Sequence, residues 1–343
     1  MRKLLNTLYV TSPESYLARD GENIVIRIDN RDKFRVPVHN IESIVCFGYL
    51  GVSPGLIGLC TERNIGLSFL NEHGRFFGRI SGPVKGNVLL RRRQYRIADD
   101  KKIILEISRV LVAGKIANCR NVLQRTIRDH GSKSNKDPLA NISVLLETRQ
   151  RQALKANDVN ELRGIEGDAA NAYFSVFNHL IVSQKDDFVF KERSRRPPRD
   201  FVNALLSFSY ALLAHEVQSA LESVGLDPYV GFLHVDRPGR PSLALDLMEE
   251  FRPYLCDRLV LSLINRRQIT AKGFLSREES GVIMDDDTRK VVLTAWQARK
   301  QEELKHVFLQ ETIQLGLLPY IQSLLFARYI RGDLDRYPVF LMK

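Results

Sequence analysis

Cysteine is scarce. The 343 residues contain four (Cys46, Cys60, Cys119, Cys256), and none falls in a C-x-x-C spacing. That argues against zinc fingers and a disulfide framework, and leaves reduced, buried thiols as the expectation. With 13 prolines and 44% hydrophobic residues, the composition is also not that of a disordered chain. No run approaches the ~20 apolar residues that a membrane span requires. The N-terminal "LLNTLYV" is too short and too polar for a signal-peptide core, so a cytoplasmic protein with no membrane partner is expected. Acidic residues are outnumbered. Lys plus Arg total 51 against 40 Asp plus Glu, a net charge of +11. Such an excess suits a polyanionic partner, nucleic acid first.

What is present divides the chain in two, as its length allows. Residues 1–80 read as short strands around turn signals: "YLARDGENIVIRI" about Asp20-Gly21, then "FRVPV", "IESIVCF", "IGLSFL" and "RFFGRI". "SPGLIGLCTERN" interrupts them as one helix, with Ser53 at its cap and Pro54 at its first position. Residues 81–87, "SGPVKGN", read as a hinge. From 88 to 343 helical patterns dominate, which makes the fold class α+β. A long one runs from Val88 to Asp129, and "GSKSNKDP" breaks it. Glu279-Ser280-Gly281 suggests a short hairpin, and Asp285-Asp286-Asp287 suits the start of a helix near Thr288. The sequence has no internal repeat.

The chemistry concentrates in two places. In "LRGIEGDAANAYF", Glu166 shares a helical stripe with Ala169, Ala170, Tyr173, Phe174, Phe177 and Leu180. An inward carboxylate must be paired, protonated or bound to metal, and Gly164 and Gly167 leave room beside it. In "GLDPYVGFLHVDRPGRPSLALDLMEEF", an apolar run delivers His234, in the manner of a strand end, to a loop rich in Pro, Gly and Arg. Ser242 can cap the next helix, on which Asp246, Glu249 and Glu250 are spaced i, i+3, i+4 and share a face. An inward Glu, a His and a carboxylate-rich helix form a mixed oxygen and nitrogen set for a hard divalent ion, Mn²⁺ at least as well as Mg²⁺. Open positions on such an ion can hold a phosphodiester and activate a water or sugar hydroxyl. Arg91, Arg92 and Arg93, with Arg193, Arg195, Arg196 and Arg199 beside Pro197-Pro198, supply a track for phosphates. His215, within "YALLAHEV", reads as helix packing.

Four segments, "LRGIEGDAANAYF", "RSRRPPRDFVNALLSFSYALL", "GLDPYVGFLH" followed by "RPSLALDLMEEFRP", and "YIRGDLDRYPVF", together resemble the CRISPR adaptation integrase family, the universal spacer-acquisition endonucleases, in content and in order. The resemblance implies a β-sandwich-like N-terminal domain, a larger helical catalytic and DNA-binding domain, and homodimers formed largely through the β domains. It implies one divalent ion held by a Glu, a His and a later acid. These match Glu166, His234 and Glu249, with Asp246 in support and Glu250 as the alternative last ligand. Asn203 and Tyr210 match positions that line the family's site. The implied reaction is metal-dependent insertion of short captured DNA into a repeat array, by attack of a 3′-hydroxyl on a phosphodiester. The implied partners are double-stranded DNA and a small ferredoxin-like adaptation protein. The rival readings are a stand-alone nuclease for branched DNA and a catalytically silent DNA-binding scaffold.

Overall fold

In the computed structural model, residues 6–342 are described apart from 13, 30, 64, 72–75, 81, 83–86, 131–135 and 278–280. Most of the expected hinge, and residues 279 and 280 of the expected hairpin turn, lie outside the described residues. The N-terminal segment forms β1 (Thr7–Val10), β2 (Tyr16–Asp20), β3 (Asn23–Ile28), β4 (Arg31–Pro37), β5 (Ser43–Phe47), β6 (Gly51–Val52), α1 (Pro54–Glu62), β7 (Gly66–Leu70) and β8 (Phe76–Ile80). The strands make two four-stranded sheets, β1-β5-β7-β8 and β4-β3-β2-β6. Strands β1, β5 and β7 run parallel, with β8 antiparallel to β7. One apolar cluster draws Leu17, Ile24 and Ile26 from the second sheet, Val10, Ile44, Cys46 and Leu67 from the first, and Leu56, Leu59 and Cys60 from α1. Ser53 caps α1 as expected, its Oγ accepting from the Leu56 N–H at 3.2 Å. All four cysteines are free and buried. Burial pushes the Cys46 thiol up to about 12, leaving it inert.

Next come α2 (Val88–Ala98), α3 (Lys101–His130), α4 (Lys136–Ala153), α5 (Val159–Ser175) and α6 (Phe201–Val224). The helical pattern expected to run unbroken from Val88 to Asp129 is in fact two helices. Asp100 ends the first and caps the second, its carboxylate accepting from the N–H groups of Lys102 (2.9 Å) and Ile103 (3.2 Å). Helix α3 has 30 residues, about 45 Å at 1.5 Å per residue, and packs against both α4 and α5. Then α7 (Ser242–Met248) leads through a π-helical segment, Arg252–Asp257, into α8 (Arg258–Asn265). Strands β9 (Phe274–Arg277) and β10 (Gly281–Met284) pair where the hairpin was expected. After α9 (Asp286–Gln301), strands β11 (Glu303–Lys305) and β12 (Thr312–Gln314) also pair, and α10 (Leu318–Arg331) is the last helix. The region from residue 88 onward is therefore mostly, not wholly, helical. No helix among the described residues is long and apolar enough to cross a membrane.

The chain divides into two compact units. The first gathers residues 1–85 with 284–302 and 314–317, so it extends past the expected 1–80 and includes α9. Asp285 caps that helix through the Thr288 N–H at 2.7 Å, and Val292 and Trp296 are buried. Lys300 Nζ donates to Thr7 Oγ1 at 3.2 Å, and the Arg289 guanidinium lies 5.9 Å from the Phe47 ring centre.

The second unit is closed by its own C-terminal residues folding onto α3. At Gly114 a Cβ would stand 2.4 Å from Val339 Cγ2, so only glycine admits this approach. One turn on, buried Asn118 donates to the carbonyls of Glu250 (2.8 Å) and Phe340 (2.9 Å) and accepts from the Met342 N–H (2.9 Å). Replacing Asn118 by Ala leaves those buried backbone groups unpaired. We expect Asn118→Ala to lose about 2–3 kcal/mol of unfolding free energy. A urea titration checks this, with a lower midpoint at unchanged slope.

Candidate active site

Glu166 lies two turns into α5, past the first turn, and Asp158 caps that helix through the N–H groups of Asn160 and Glu161. A Cβ added at Gly164 or Gly167 meets nothing within 4 Å. Its carboxylate meets the ammonium of Lys115 from α3. The same ammonium stands 2.7 Å from Glu249 Oε2, and Glu249 Oε1 is 2.6 Å from Arg252 Nη1. Charges of alternating sign thus run Glu166, Lys115, Glu249, Arg252. The Glu249 side chain is only 4% exposed, against 27% for Glu166, so the row leads from the rim inward. Burial alone would raise the Glu249 pKa, but Arg252, Lys115 and His234 outweigh it and hold the carboxyl down at about 2. Burial likewise opposes the charge on Lys115, yet Glu249 and Glu166 raise its pKa above the ordinary value. Glu249, Lys115 and Arg252 therefore stay ionised.

His234 is not at a strand end. Residues 225–241 contain no strand or helix, and the loop is shaped by one buried carboxylate. Asp246 accepts the backbone N–H groups of Phe232 (2.6 Å), Leu233 (2.9 Å) and His234 (2.9 Å), and its Oδ1 is 2.6 Å from His234 Nδ1. Gly231 makes this possible, because a Cβ there would lie 2.7 Å from Ser242 Cβ and 2.9 Å from Asp246 Oδ2. Arg163 of α5 donates twice to the Leu233 carbonyl, at 3.0 and 2.6 Å. Nδ1 faces the carboxylate, so in a neutral ring the proton would sit there and Nε2 would be the nitrogen left to bind. Ser242 does not cap α7. Pro241 holds the cap position, and Ser242 Oγ donates instead to the Val235 carbonyl at 3.2 Å.

The expected shared face of Asp246, Glu249 and Glu250 therefore splits three ways. Asp246 shapes the His234 loop, and Glu249 joins Lys115. Glu250 does neither, and this corrects its place as an alternative ligand. It is fully buried, and accepts from Tyr337 Oη, the Phe340 N–H and Gln322 Nε2, which fasten the C-terminal residues. No basic side chain pairs with it among the described residues. Burial, only partly offset by those hydrogen bonds, pushes its pKa up to about 8.

Tyr210 donates to buried Asp257 at 2.6 Å, Tyr173 donates to the same carboxylate at 3.0 Å, and burial lifts Asp257 to about 6. The guanidinium carbons of Arg193 and Arg252 lie 5.3 and 5.0 Å from the Tyr210 ring centre. Tyr210 thus touches Arg252, which pairs with Glu249. Asn203 is an internal fastener: Oδ1 accepts from Arg193 Nη1 (2.7 Å) and the Ser194 N–H (3.0 Å), and Nδ2 donates to the Glu192 carbonyl (2.8 Å). Arg193 turns inward, also donating to Ser207 Oγ at 3.1 Å, which removes it from the expected phosphate track. Arg92, Arg93, Arg195, Arg196 and Arg199 are exposed, and Arg91 partly so.

Among the described residues, no three His, Cys, Asp or Glu side chains already stand as a ligand cluster. The cation that meets both Glu166 and Glu249 is the Lys115 ammonium. The donor set nevertheless fits a divalent ion. Two carboxylates converge on one cation, Glu249 Oε2 is buried without a well-aligned hydrogen bond, and His234 keeps Nε2 uncommitted.

The profile of CRISPR associated protein Cas1 matches residues 8–298. The chain belongs to the Cas1 family. It is 53% identical to CRISPR-associated endonuclease Cas1 1 of Chlorobaculum tepidum over 343 residues, all of both chains. It is 51% identical to CRISPR-associated endonuclease Cas1 2 of Rhodospirillum rubrum over 350 aligned positions, again all of both. A solved Cas1 structure from Thermotoga maritima superposes with a TM-score of 0.81 at 25% identity, covering 98% of this chain and 100% of that one.

Sequence reasoning missed two members of this row of charges. Lys115 had a readable signal, a lone charge inside "VLVAGKIANC" on a helix otherwise apolar or small there. Arg252 sits i+3 from Glu249, the spacing of a helical ion pair. The assignment of Glu250 to the C-terminal residues has a pH signature. Between about pH 4.5 and 8 the folded state keeps a proton that the unfolded chain has released, so stability falls as pH rises across this window. Glu250→Gln should flatten that fall, whose steepest slope is about 1.4 kcal/mol per pH unit. Urea titrations of both proteins near either end of the window compare the two.

Proposed function

We propose that this chain is a metal-dependent DNA endonuclease and integrase of CRISPR adaptation. It joins the 3′-hydroxyl of a short captured DNA to a phosphodiester at the edge of a repeat. Family membership and the endonuclease names of its full-length relatives support nuclease chemistry on DNA. The observation that carries the reading is the convergence of Glu166 and Glu249 on one cation; Asp246, three residues before Glu249, tethers the imidazole of His234. Glu166, Glu249 and His234 Nε2 would hold Mg²⁺ or Mn²⁺. When bound, that ion supplies Lewis-acid polarisation of the phosphate and stabilises charge on the attacking and departing oxygens.

The chain's own groups do the rest. Asp246 keeps the proton on His234 Nδ1 and fixes the loop that presents the ring. Arg252 balances the charge of Glu249 and holds one of its oxygens. Tyr210 packs against Arg252 while its hydroxyl donates a hydrogen bond to Asp257, so it supports Arg252. The exposed arginines of 91–93 and 195–199 grip the duplex backbone without reading bases. Exchange of one phosphodiester for another needs no external energy source. Homodimerisation through a β-sandwich-like N-terminal domain agrees with the exposed aromatics Phe34, Tyr49 and Phe77, the last two 5.3 Å apart. A small ferredoxin-like adaptation partner and a cytoplasmic setting complete the proposal.

A joining assay tests it, with supercoiled repeat DNA, a 3′-hydroxyl duplex, Mn²⁺ or Mg²⁺, and the small partner present or absent. Joined product is expected. Cuts without joining would instead indicate a stand-alone nuclease for branched DNA. Glu166→Ala should abolish joining while DNA binding persists in a mobility-shift assay, and unchanged activity would indicate a silent scaffold. Asp246→Asn should cost ~10–100-fold in Mn²⁺ affinity, the range seen when a ligand's supporting carboxylate is lost.

A further inference from the structure

The lysine between the two carboxylates has no part in the chemistry above, and its position is costly unless it serves the site. Its side chain is 12% exposed, and its ammonium touches Glu166 and Glu249, the two oxygen donors of the proposed ion site. We infer that Lys115 is a displaceable internal counter-ion, which holds the site closed and neutral without metal and withdraws when a divalent cation enters. The inference rests on the metal reading of the proposed function.

Charge balance gives the reason. Glu166 and Glu249 contribute two negative charges, Lys115 and Arg252 two positive, so the row is neutral as it stands. A divalent ion added beside an unmoved ammonium would face like charge at contact distance, where Coulomb repulsion is strong even at an effective dielectric near ~20. A monovalent ion gains nothing over the ammonium, since one single charge replaces another. A divalent ion brings twice the charge to the same carboxylates. The arrangement therefore selects for charge two by making every incoming cation compete with a resident charge of one.

The fold decides which part moves. Val339 presses on Gly114, and Asn118 is bonded to the carbonyls of Glu250 and Phe340 and to the Met342 N–H, so the α3 backbone is held on either side of Lys115. The four-carbon stem of lysine is flexible, and its ammonium is a point charge without the fixed fork of arginine. Glu166 itself is 27% exposed, so the ammonium has an open side at the rim of the row. Displacement is then a side-chain rotation and needs no helix movement.

The test uses the full chain stripped with EDTA and Mn²⁺ alone as the probe. Titration followed by the electron paramagnetic resonance signal of free Mn²⁺ yields the dissociation constant. Lys115→Met, checked for folding by circular dichroism, should bind Mn²⁺ at least about tenfold tighter than the unsubstituted chain. Its melting temperature without metal should be lower, and Mn²⁺ should raise it more. Equal or weaker Mn²⁺ binding by folded Lys115→Met overturns the inference, because a merely structural lysine would disorder the ligands when lost. A second measurement needs no variant. Lysine acylation read by mass spectrometry should rise severalfold at Lys115 when Mn²⁺ saturates the unsubstituted chain, and unchanged labelling overturns the inference. An unsubstituted chain that binds no Mn²⁺ would overturn the metal site itself, which is a different result.

Discussion

A carboxylate removed from water must be compensated, and Glu249 is where this molecule meets that demand most sharply. With 3% of its surface exposed, it stays ionised because an ammonium and a guanidinium take one oxygen each. The neighbours of those cations are then constrained in turn. Lys115 needs a second anion and finds Glu166, while Arg252 lies over Tyr210, whose hydroxyl goes to Asp257. The site is thus one connected set of charges whose members come from α3, α5, the end of α7 and the π-helical segment after it. A π-helical segment among otherwise regular helices is a frequent mark of a functional place, and here it carries Arg252 at one end and Asp257 at the other.

Glu249 and Glu250 show how far environment overrides residue type. They are consecutive and both buried, yet one is held at about 2 and the other at about 8. The first faces two cations. The second faces a phenol, an amide and a backbone N–H that dock the C-terminal residues, with no opposite charge to favour ionisation. One turn of backbone serves the chemistry on one side and the closure of the unit on the other. The link between them is physical, because Asn118 bonds the Glu250 carbonyl from α3, three residues beyond Lys115.

Much of the fold was legible because it follows local rules. The β segments announced themselves by turn residues and short apolar runs, Ser53 and Asp285 by cap chemistry, and Glu166 by an acid on an apolar stripe. The failures share a cause. Asp100 was read through as helix interior because periodicity on both sides is helical, while a side-chain cap decides the break. Arg193 and Arg195 look alike in "KERSRRPPRD", but only one finds Asn203, Ser207 and the Tyr210 ring close by. The late helix α9 belongs with the N-terminal strands, where Lys300 reaches Thr7 and Arg289 lies against Phe47, and no local pattern records that choice.

The sequence by itself determined the family, the inward acid at Glu166, and the change from strands to helices near residue 88. Those follow from residue type and spacing, which act over a few turns. Tertiary structure decided which acid shares a cation with Glu166, which arginines stay exposed, and that a lysine from a distant helix stands between two carboxylates. Each is a matter of charge compensation across space, and Coulomb attraction acts between groups that the folded chain brings together, however far apart they lie along it.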